Sequence, residues 1–169
     1  MDLNFMYSLD ENNYLFDIRK LLKTILMTLN KVCYISLNKT AESVIEFCKE
    51  NGIDTQKLII IDMISPRLGN TKARKNVSYI KIDDSKKVVG SVIDVLKKEK
   101  CDALIIDSLS TLHIYFEEKE MMKIVHDVLV YSGSKHIITN LIVQKKDSEA
   151  DYVKSLIPLV GNFKEVNFD

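Results

Sequence analysis

The residue best placed to take part in chemistry is Asp107, which ends the apolar run Ala103–Ile106 and is followed by Ser108. In an open sheet of parallel strands, ligands bind beyond the carboxyl ends of the strands, so a carboxylate placed there can face a binding crevice. The same residue type can instead cap the turn that follows the strand. Asp62 ends a second apolar run, Leu58–Ile61, so the pattern alone leaves both interpretations open.

Other catalytic and metal-binding patterns are weak. The three histidines, His113, His126 and His136, form no HxH or HExxH spacing, and no CxxC pair is present. Ser108 and Ser110 follow a predicted strand but lack the GxSxG elbow that exposes a nucleophilic serine. The sequence therefore predicts no metal site and no catalytic residue.

One local charge cluster stands out in a neutral chain, which has 24 basic and 24 acidic residues. Four basic side chains fall between Ser65 and Asn76, where Pro66 and Gly69 disfavour regular structure; they are Arg67, Lys72, Arg74 and Lys75. We predict a mobile loop that contacts an anionic partner. A solvated surface loop is the alternative, since no aromatic residue lies between the charges to stack on a base.

The cysteines and the hydropathy pattern indicate a cytoplasmic protein. Cys33, Cys48 and Cys101 are widely spaced and lie in apolar patterns, which is typical of buried thiols in a reducing compartment. No apolar run is long enough to cross a bilayer, and the amino-terminal residues lack the layout of a signal peptide. We therefore predict no membrane association.

Short apolar runs alternate with amphipathic helical stripes along the chain. Three runs are apolar on both faces, as buried parallel strands require: Leu58–Ile61, Ala103–Ile106 and Ile137–Val143. Further strands are predicted at Asn4–Ser8, Val32–Ser36, Val77–Ile82 and Phe163–Phe168. Helices are predicted from Asp17, Thr40 and Ser85, over Glu117–Tyr131, and over Glu149–Leu156 before Pro158. This alternation predicts one α/β domain over residues 1–169, with a mostly parallel sheet covered on both faces.

The order of these segments resembles the KaiC-like branch of the RecA superfamily of P-loop ATPases. Val32–Thr40, Leu58–Asp62, Ala103–Phe116 and Leu141–Gln144 look like consecutive segments of that family, and Leu156–Val160 looks like the start of its closing segment. The resemblance implies a three-layer αβα RecA-like domain. It places Asp107 and Ser108 at the Walker B strand and Gln144 at the polar sensor position of a degenerate nucleotide site.

The sequence departs from that family at the positions that would bind the phosphates of ATP. Its phosphate loop would fall at Leu9–Phe16, which has no Gly, no Lys and no Ser or Thr hydroxyl for Mg²⁺. Asp10 and Glu11 would repel phosphate there, and Asn38 stands where the acid that polarises the attacking water is expected.

We therefore predict a pseudo-ATPase without a cofactor that acts as a protein-binding or regulatory module and self-associates. One alternative is a divergent ATPase that uses Asp107 and Mg-ATP and is completed by a partner. The other is an accessory protein that binds nucleic acid through the basic loop.

Overall fold

A computed structural model of the chain describes residues 3–165. Its centre is one sheet of seven strands in the order β4-β3-β2-β5-β6-β1-β7. The strands are β1 (Asn4–Leu9), β2 (Val32–Ser36), β3 (Leu58–Asp62), β4 (Val77–Tyr79), β5 (Ala103–Asp107), β6 (Ile138–Gln144) and β7 (Asn162–Glu165). Every described strand pair is parallel, which confirms the predicted α/β architecture.

Helices cover both faces of the sheet and complete the three layers. They are α1 (Tyr14–Thr28), α2 (Ala41–Glu50), α3 (Ser85–Glu99), α4 (Leu109–Tyr115), α5 (Glu118–Ser134) and α6 (Asp151–Val160). The helices α1 and α2 pack on one face, and α3 to α6 pack on the other. Within residues 3–165, no helix is both long and apolar enough to cross a membrane.

The three runs predicted to be buried all lie inside the sheet. All five residues of β5 are buried, and β5 lies between β2 and β6. Ile105 is opposite Tyr34 on one side and Asn140 on the other, and its side chain is fully buried. A parallel strand buried on both faces has no solvated side and is therefore mostly apolar, which explains why the prediction succeeds for β3 and β5. The strand β6 also buries the polar residues Thr139 and Asn140.

Several predicted boundaries of helices and strands were wrong, and the start of α1 is the one that affects the site. The helix begins at Tyr14 rather than at Asp17, because a turn closed by the hydrogen bond from Asn13 N to Asp10 O delivers the chain directly into it. Asp17 lies in the first helical turn, where a carboxylate interacts favourably with the helix dipole and so imitates a start signal.

Other differences follow from capping and local hydrogen bonding. Asp84, not Ser85, caps α3 by accepting a hydrogen bond from Lys87 N at 2.9 Å. Pro158 lies inside the last turn of α6, where its missing N–H costs only one helical hydrogen bond. The short helix α4 was not predicted, and β4 ends at Tyr79 instead of Ile82.

The predicted loop over residues 65–76 starts with a 3₁₀ turn at Ser65–Leu68 and continues without regular structure. Its mobility stays a prediction. The predicted last strand is described as β7 up to Glu165, and the rest of that segment lies outside the described residues. The three cysteines are free and buried, as expected from their apolar surroundings.

The central position of β5 gives a test of the fold. We expect Ile105→Ala to lower the free energy of unfolding by about 2–5 kcal/mol, because the side chain is fully buried and its removal leaves a cavity. Urea denaturation followed by circular dichroism measures the change. The matched control is Met27→Ala on α1, whose side chain is 84% exposed and whose loss should cost less than about 0.5 kcal/mol. Equal effects of the two substitutions would contradict the packing described here.

Candidate functional site

The site is organised around the carboxylate of Asp107 at the carboxyl end of β5, which is only 2% exposed. The Tyr14 hydroxyl donates a hydrogen bond to its Oδ1 atom, and the Tyr34 hydroxyl donates one to its Oδ2 atom. Asn38 Nδ2 lies 3.3 Å from Oδ1 and donates to it as well. Both carboxylate oxygens are therefore engaged by donors from the same chain.

Three different elements supply these donors. Tyr34 lies in β2 beside β5 and is 3% exposed. Asn38 lies in the loop after β2, which is held against β5 by the hydrogen bond from Leu37 N to Asp107 O at 2.8 Å. Tyr14 is the first residue of α1, so the early start of that helix is what brings its hydroxyl to the carboxylate.

The electrostatics of the site follow from burial. Removal from water raises the pKa of Asp107 to about 7, because the ionised form loses its hydration. Burial also raises the pKa of Tyr34 far above its ordinary value, so this phenol stays protonated and remains a donor. The site thus holds a carboxyl group that changes charge near neutral pH beside a neutral hydrogen-bond donor.

Ser108, the second predicted site residue, has a structural position. Its side chain is fully buried and caps α4, with Oγ accepting from Thr111 N at 3.4 Å. The Thr111 hydroxyl in turn donates to Asn38 Oδ1, and Asn38 Nδ2 lies 3.5 Å from Ser108 Oγ. This network fixes the amide of Asn38 with its nitrogen toward Asp107.

Asp62 has the capping role that the sequence left open for both strand-end acids. Its carboxylate accepts from the backbone nitrogens of Ala41 at 2.6 Å and of Ile64 and Ser65 at 2.8 Å, and from Ser65 Oγ at 2.6 Å. Within the described residues, the Asp107 carboxylate accepts hydrogen bonds from side chains only, and the cap beside it is Ser108. The two strand-end acids therefore have different roles.

Gln144, at the end of β6, lines an open cleft of about 820 Å³ next to Asp107. The other lining residues come from the segment before α1, the start of α1, the loop after β2 and the turn after β6; they include Glu11, Tyr14, Leu15, Phe16, Asn38, Lys39 and Lys146. The backbone N–H of Gln144 donates to Ser110 Oγ at 3.0 Å, which ties β6 to α4. Asp107, Asn38 and Gln144 thus lie at the same edge of the sheet.

The predicted basic residues are not gathered at a single point. The Arg67 guanidinium lies 4.5 Å from the ring centre of Tyr115 at the end of α4, whereas Arg74 forms an ion pair with Glu42 in α2 at 2.7 Å. Lys72 and Lys75 are exposed. Their role in binding an anionic partner stays a prediction.

The profile of the KaiC ATPase family matches residues 15–157, which is most of the chain. The chain belongs to the KaiC ATPase family. No curated protein matches its sequence.

Solved structures share the same fold. A KaiC-like protein from the hyperthermophilic archaeon Pyrococcus horikoshii OT3 superposes with a TM-score of 0.67 at 13% identity, covering 99% of this chain and 76% of that one. An uncharacterized Pyrococcus horikoshii protein, solved in complex with an unknown peptide, superposes with a TM-score of 0.65 at 16% identity, covering 91% and 72%. At such low identity these similarities establish the RecA-like fold alone.

In a KaiC-family domain the carboxyl edge of the sheet is where Mg-ATP is expected, and the residues present do not fit it. Within the segment Leu9–Phe16, residues 10–13 form a tight acidic turn in which Asp10 Oδ1 accepts from Asn12 N at 2.9 Å. Glu11 in this turn pairs with Lys146 at 2.7 Å, which offsets one of the two lysines that line the cleft. The Asp107 oxygens that would approach Mg²⁺ already accept phenolic hydrogens.

Sequence reasoning missed Tyr14 and Tyr34. A signal for Tyr34 was available, because a tyrosine inside an otherwise apolar buried strand needs a partner for its hydroxyl. Tyr14 gave no such signal, since its position depends on where α1 begins. His113 packs against Tyr152 with ring centres 4.4 Å apart, and residues 3–165 contain no cluster of metal-ligating side chains.

The buried carboxyl gives a testable pH dependence. In the unfolded chain Asp107 has an ordinary pKa near 4, whereas in the folded protein the pKa is about 7, so unfolding releases a proton between these values. Wild-type stability should therefore fall as the pH rises through this window, by up to about 1.4 kcal/mol per pH unit.

Asp107→Asn keeps the acceptor oxygen and removes the titration, so its stability should not show this loss. Urea denaturation of both proteins from about pH 5 to about pH 8 measures the difference, since all other titrating groups cancel. Parallel stability profiles for the two proteins would contradict the assigned pKa.

Proposed function

We propose that this chain is a KaiC-family domain that does not hydrolyse ATP and that acts by binding a protein partner through its former nucleotide cleft. The observation that carries the proposal is that the hydroxyls of Tyr14 and Tyr34 both donate hydrogen bonds to the Asp107 carboxylate. Those two donors satisfy the carboxylate without a metal ion.

These two hydrogen bonds would have to break before a nucleotide-bound Mg²⁺ could reach Asp107, and this costs free energy. To reach Mg²⁺, Asp107 would have to release Tyr14 and Tyr34, and the buried Tyr34 hydroxyl left without a partner would cost about 1–3 kcal/mol. The phosphate loop that would repay this cost is replaced by an acidic turn. Asn38, which stands at the position of the expected catalytic acid, has its amide nitrogen turned toward Asp107 and cannot accept a proton from water.

Protein binding is supported by the surface around the cleft. Leu15 and Phe16, in the first turn of α1, are 51% and 40% exposed. Arg19 lies 5.0 Å and Lys20 lies 4.3 Å from the ring centre of Phe16. Exposed apolar and aromatic side chains with arginine are typical of interface centres. A partner segment with an apolar anchor and nearby carboxylates would complement this surface, and a second copy of the chain is one candidate for it.

The first test is direct binding of nucleotide. Isothermal titration with millimolar Mg-ATP should show nothing tighter than millimolar affinity, and phosphate release should stay at the rate measured without protein. Low-micromolar binding, or turnover that Asp107→Asn abolishes, would instead support the alternative of a divergent ATPase. Repeating the turnover assay with a purified partner tests whether a partner completes the site.

The second test concerns the cleft surface. Leu15→Glu combined with Phe16→Glu should lose binding to a partner recovered from the native host, because charge replaces the apolar anchor site. Met27→Glu on the same helix is the matched control, since Met27 is 84% exposed and lies outside the cleft lining. Sedimentation velocity of the same proteins shows whether the partner is a second copy. Binding that survives the double substitution would place the interface elsewhere.

The third test addresses the basic loop. Charge reversal of Arg67, Lys72, Arg74 and Lys75 together should abolish any salt-sensitive binding of an anionic partner, since exposed charges are screened beyond roughly 8 Å at physiological salt. Binding of oligonucleotides and of the recovered partner is measured at low and at physiological salt. Unchanged binding after all four reversals would show that the loop is a solvated connection.

A further inference from the structure

The cleft proposed to bind a protein partner contains two lysines in different surroundings. Its lining carries two positive charges, on Lys39 and Lys146, and one negative charge, on Glu11. Glu11 forms an ion pair with Lys146 at 2.7 Å. Lys39 forms no ion pair within residues 3–165. The cleft therefore holds one positive charge that is not paired with any carboxylate of the described chain.

The backbone of Lys39 is held in place in the loop after β2. Its N–H donates to Ser36 Oγ at 3.3 Å, and Ser36 Oγ donates to its carbonyl oxygen at 2.6 Å. The next residue, Thr40, caps α2. The Lys39 ammonium lies 5.2 Å from the ring centre of Phe47 in α2. These contacts place the half-buried side chain of Lys39 at the border of the cleft.

Partial burial leaves the Lys39 ammonium incompletely compensated. Removal from water lowers the pKa of Lys39, because the charged form loses hydration. The Phe47 ring offsets part of this loss through a cation–π contact. An anionic group close to Nζ would favour the charged form further. A ligand that supplies an acid at this point therefore gains an interaction that the chain itself does not provide.

The apolar part of the cleft lies on a second element. The Tyr14 hydroxyl and the Asn38 amide nitrogen both donate to Oδ1 of Asp107. The residues that follow them, Leu15–Phe16 and Lys39, therefore border one cleft from two sides of the chain. Leu15 and Phe16 are 51% and 40% exposed. A ligand that fills the cleft thus meets apolar side chains from α1 and an ammonium group from the loop after β2.

We infer that the partner segment bound in the cleft is an acidic, apolar peptide. It pairs a side-chain carboxylate with the Lys39 ammonium and packs an apolar side chain on Leu15 and Phe16. This inference rests on the proposed function of the cleft and specifies the chemistry of its partner. A carboxylate suits the site better than a phosphate group, because two lysines and one glutamate give the lining a net charge of only +1 and Asp10 lies in the adjoining acidic turn.

A phage-displayed library of random peptides tests this inference. Peptides are selected on the immobilised full chain, and we expect them to combine Asp or Glu with a large apolar residue at a fixed spacing. The strongest binder is then synthesised and titrated by fluorescence anisotropy. Replacing its Asp or Glu by Asn or Gln should weaken binding about tenfold, since hydrogen bonds between charged groups are stronger than those with a neutral partner.

Variants of Lys39 assign the acidic preference to one side chain. Selection on Lys39→Glu protein should yield Lys or Arg in place of the acidic residue, with the apolar residue retained. Lys39→Met keeps the stem beside Phe47 and removes the charge, so it should abolish the acidic preference without reversing it. Lys23→Glu is the matched control and should leave the selection unchanged, because Lys23 is exposed on α1 outside the cleft lining.

The outcomes distinguish this inference from the proposed function. Peptides that require Leu15 and Phe16, but whose acidic residue is dispensable or is still selected by Lys39→Glu protein, would overturn the inference and leave the proposed function standing. If no peptide is selected whose binding is lost in the Leu15→Glu, Phe16→Glu protein, both the inference and the proposed function are contradicted.

Discussion

The removal of Asp107 from water is the constraint around which the carboxyl edge of this domain is arranged. A buried carboxylate is strongly destabilising unless donors replace its hydration. In a P-loop ATPase, Mg²⁺ and its ligands help to compensate the acid of this strand. Here the compensation comes from Tyr14, Tyr34 and Asn38, so the start of α1, the strand β2 and the loop after it are all joined through one side chain.

The proposed loss of nucleotide binding is compatible with the packing of this KaiC-family fold. The two apolar clusters on either side of the sheet contain no part of the cleft lining except Tyr14, which only packs at the margin of one of them. The apolar packing that holds the fold together thus lies apart from the cleft. The turn at residues 10–13 leads into α1, where Tyr14 reaches Asp107 while Leu15 and Phe16 stay exposed, and this supports the proposed function as a protein-binding module.

The sequence predicted what depends on burial and missed what depends on short-range geometry. The strand β5 could be predicted because an apolar run of this length, ending in Asp107, is typical of a buried parallel strand in an α/β domain. The same logic could not distinguish Asp107 from Asp62, since the difference lies in whether backbone or side-chain donors surround the carboxylate. Tyr14 was missed because a start of α1 at Asp17 would leave it outside the helix.

The most direct test of this account is a crystal structure of the protein grown with millimolar Mg-ATP. The account predicts that the hydroxyls of Tyr14 and Tyr34 still bind Asp107 and that no metal ion lies beside its carboxylate. A Mg²⁺ ion coordinated by Asp107, with the Tyr14 hydroxyl displaced and nucleotide phosphates against the segment 9–16, would contradict it.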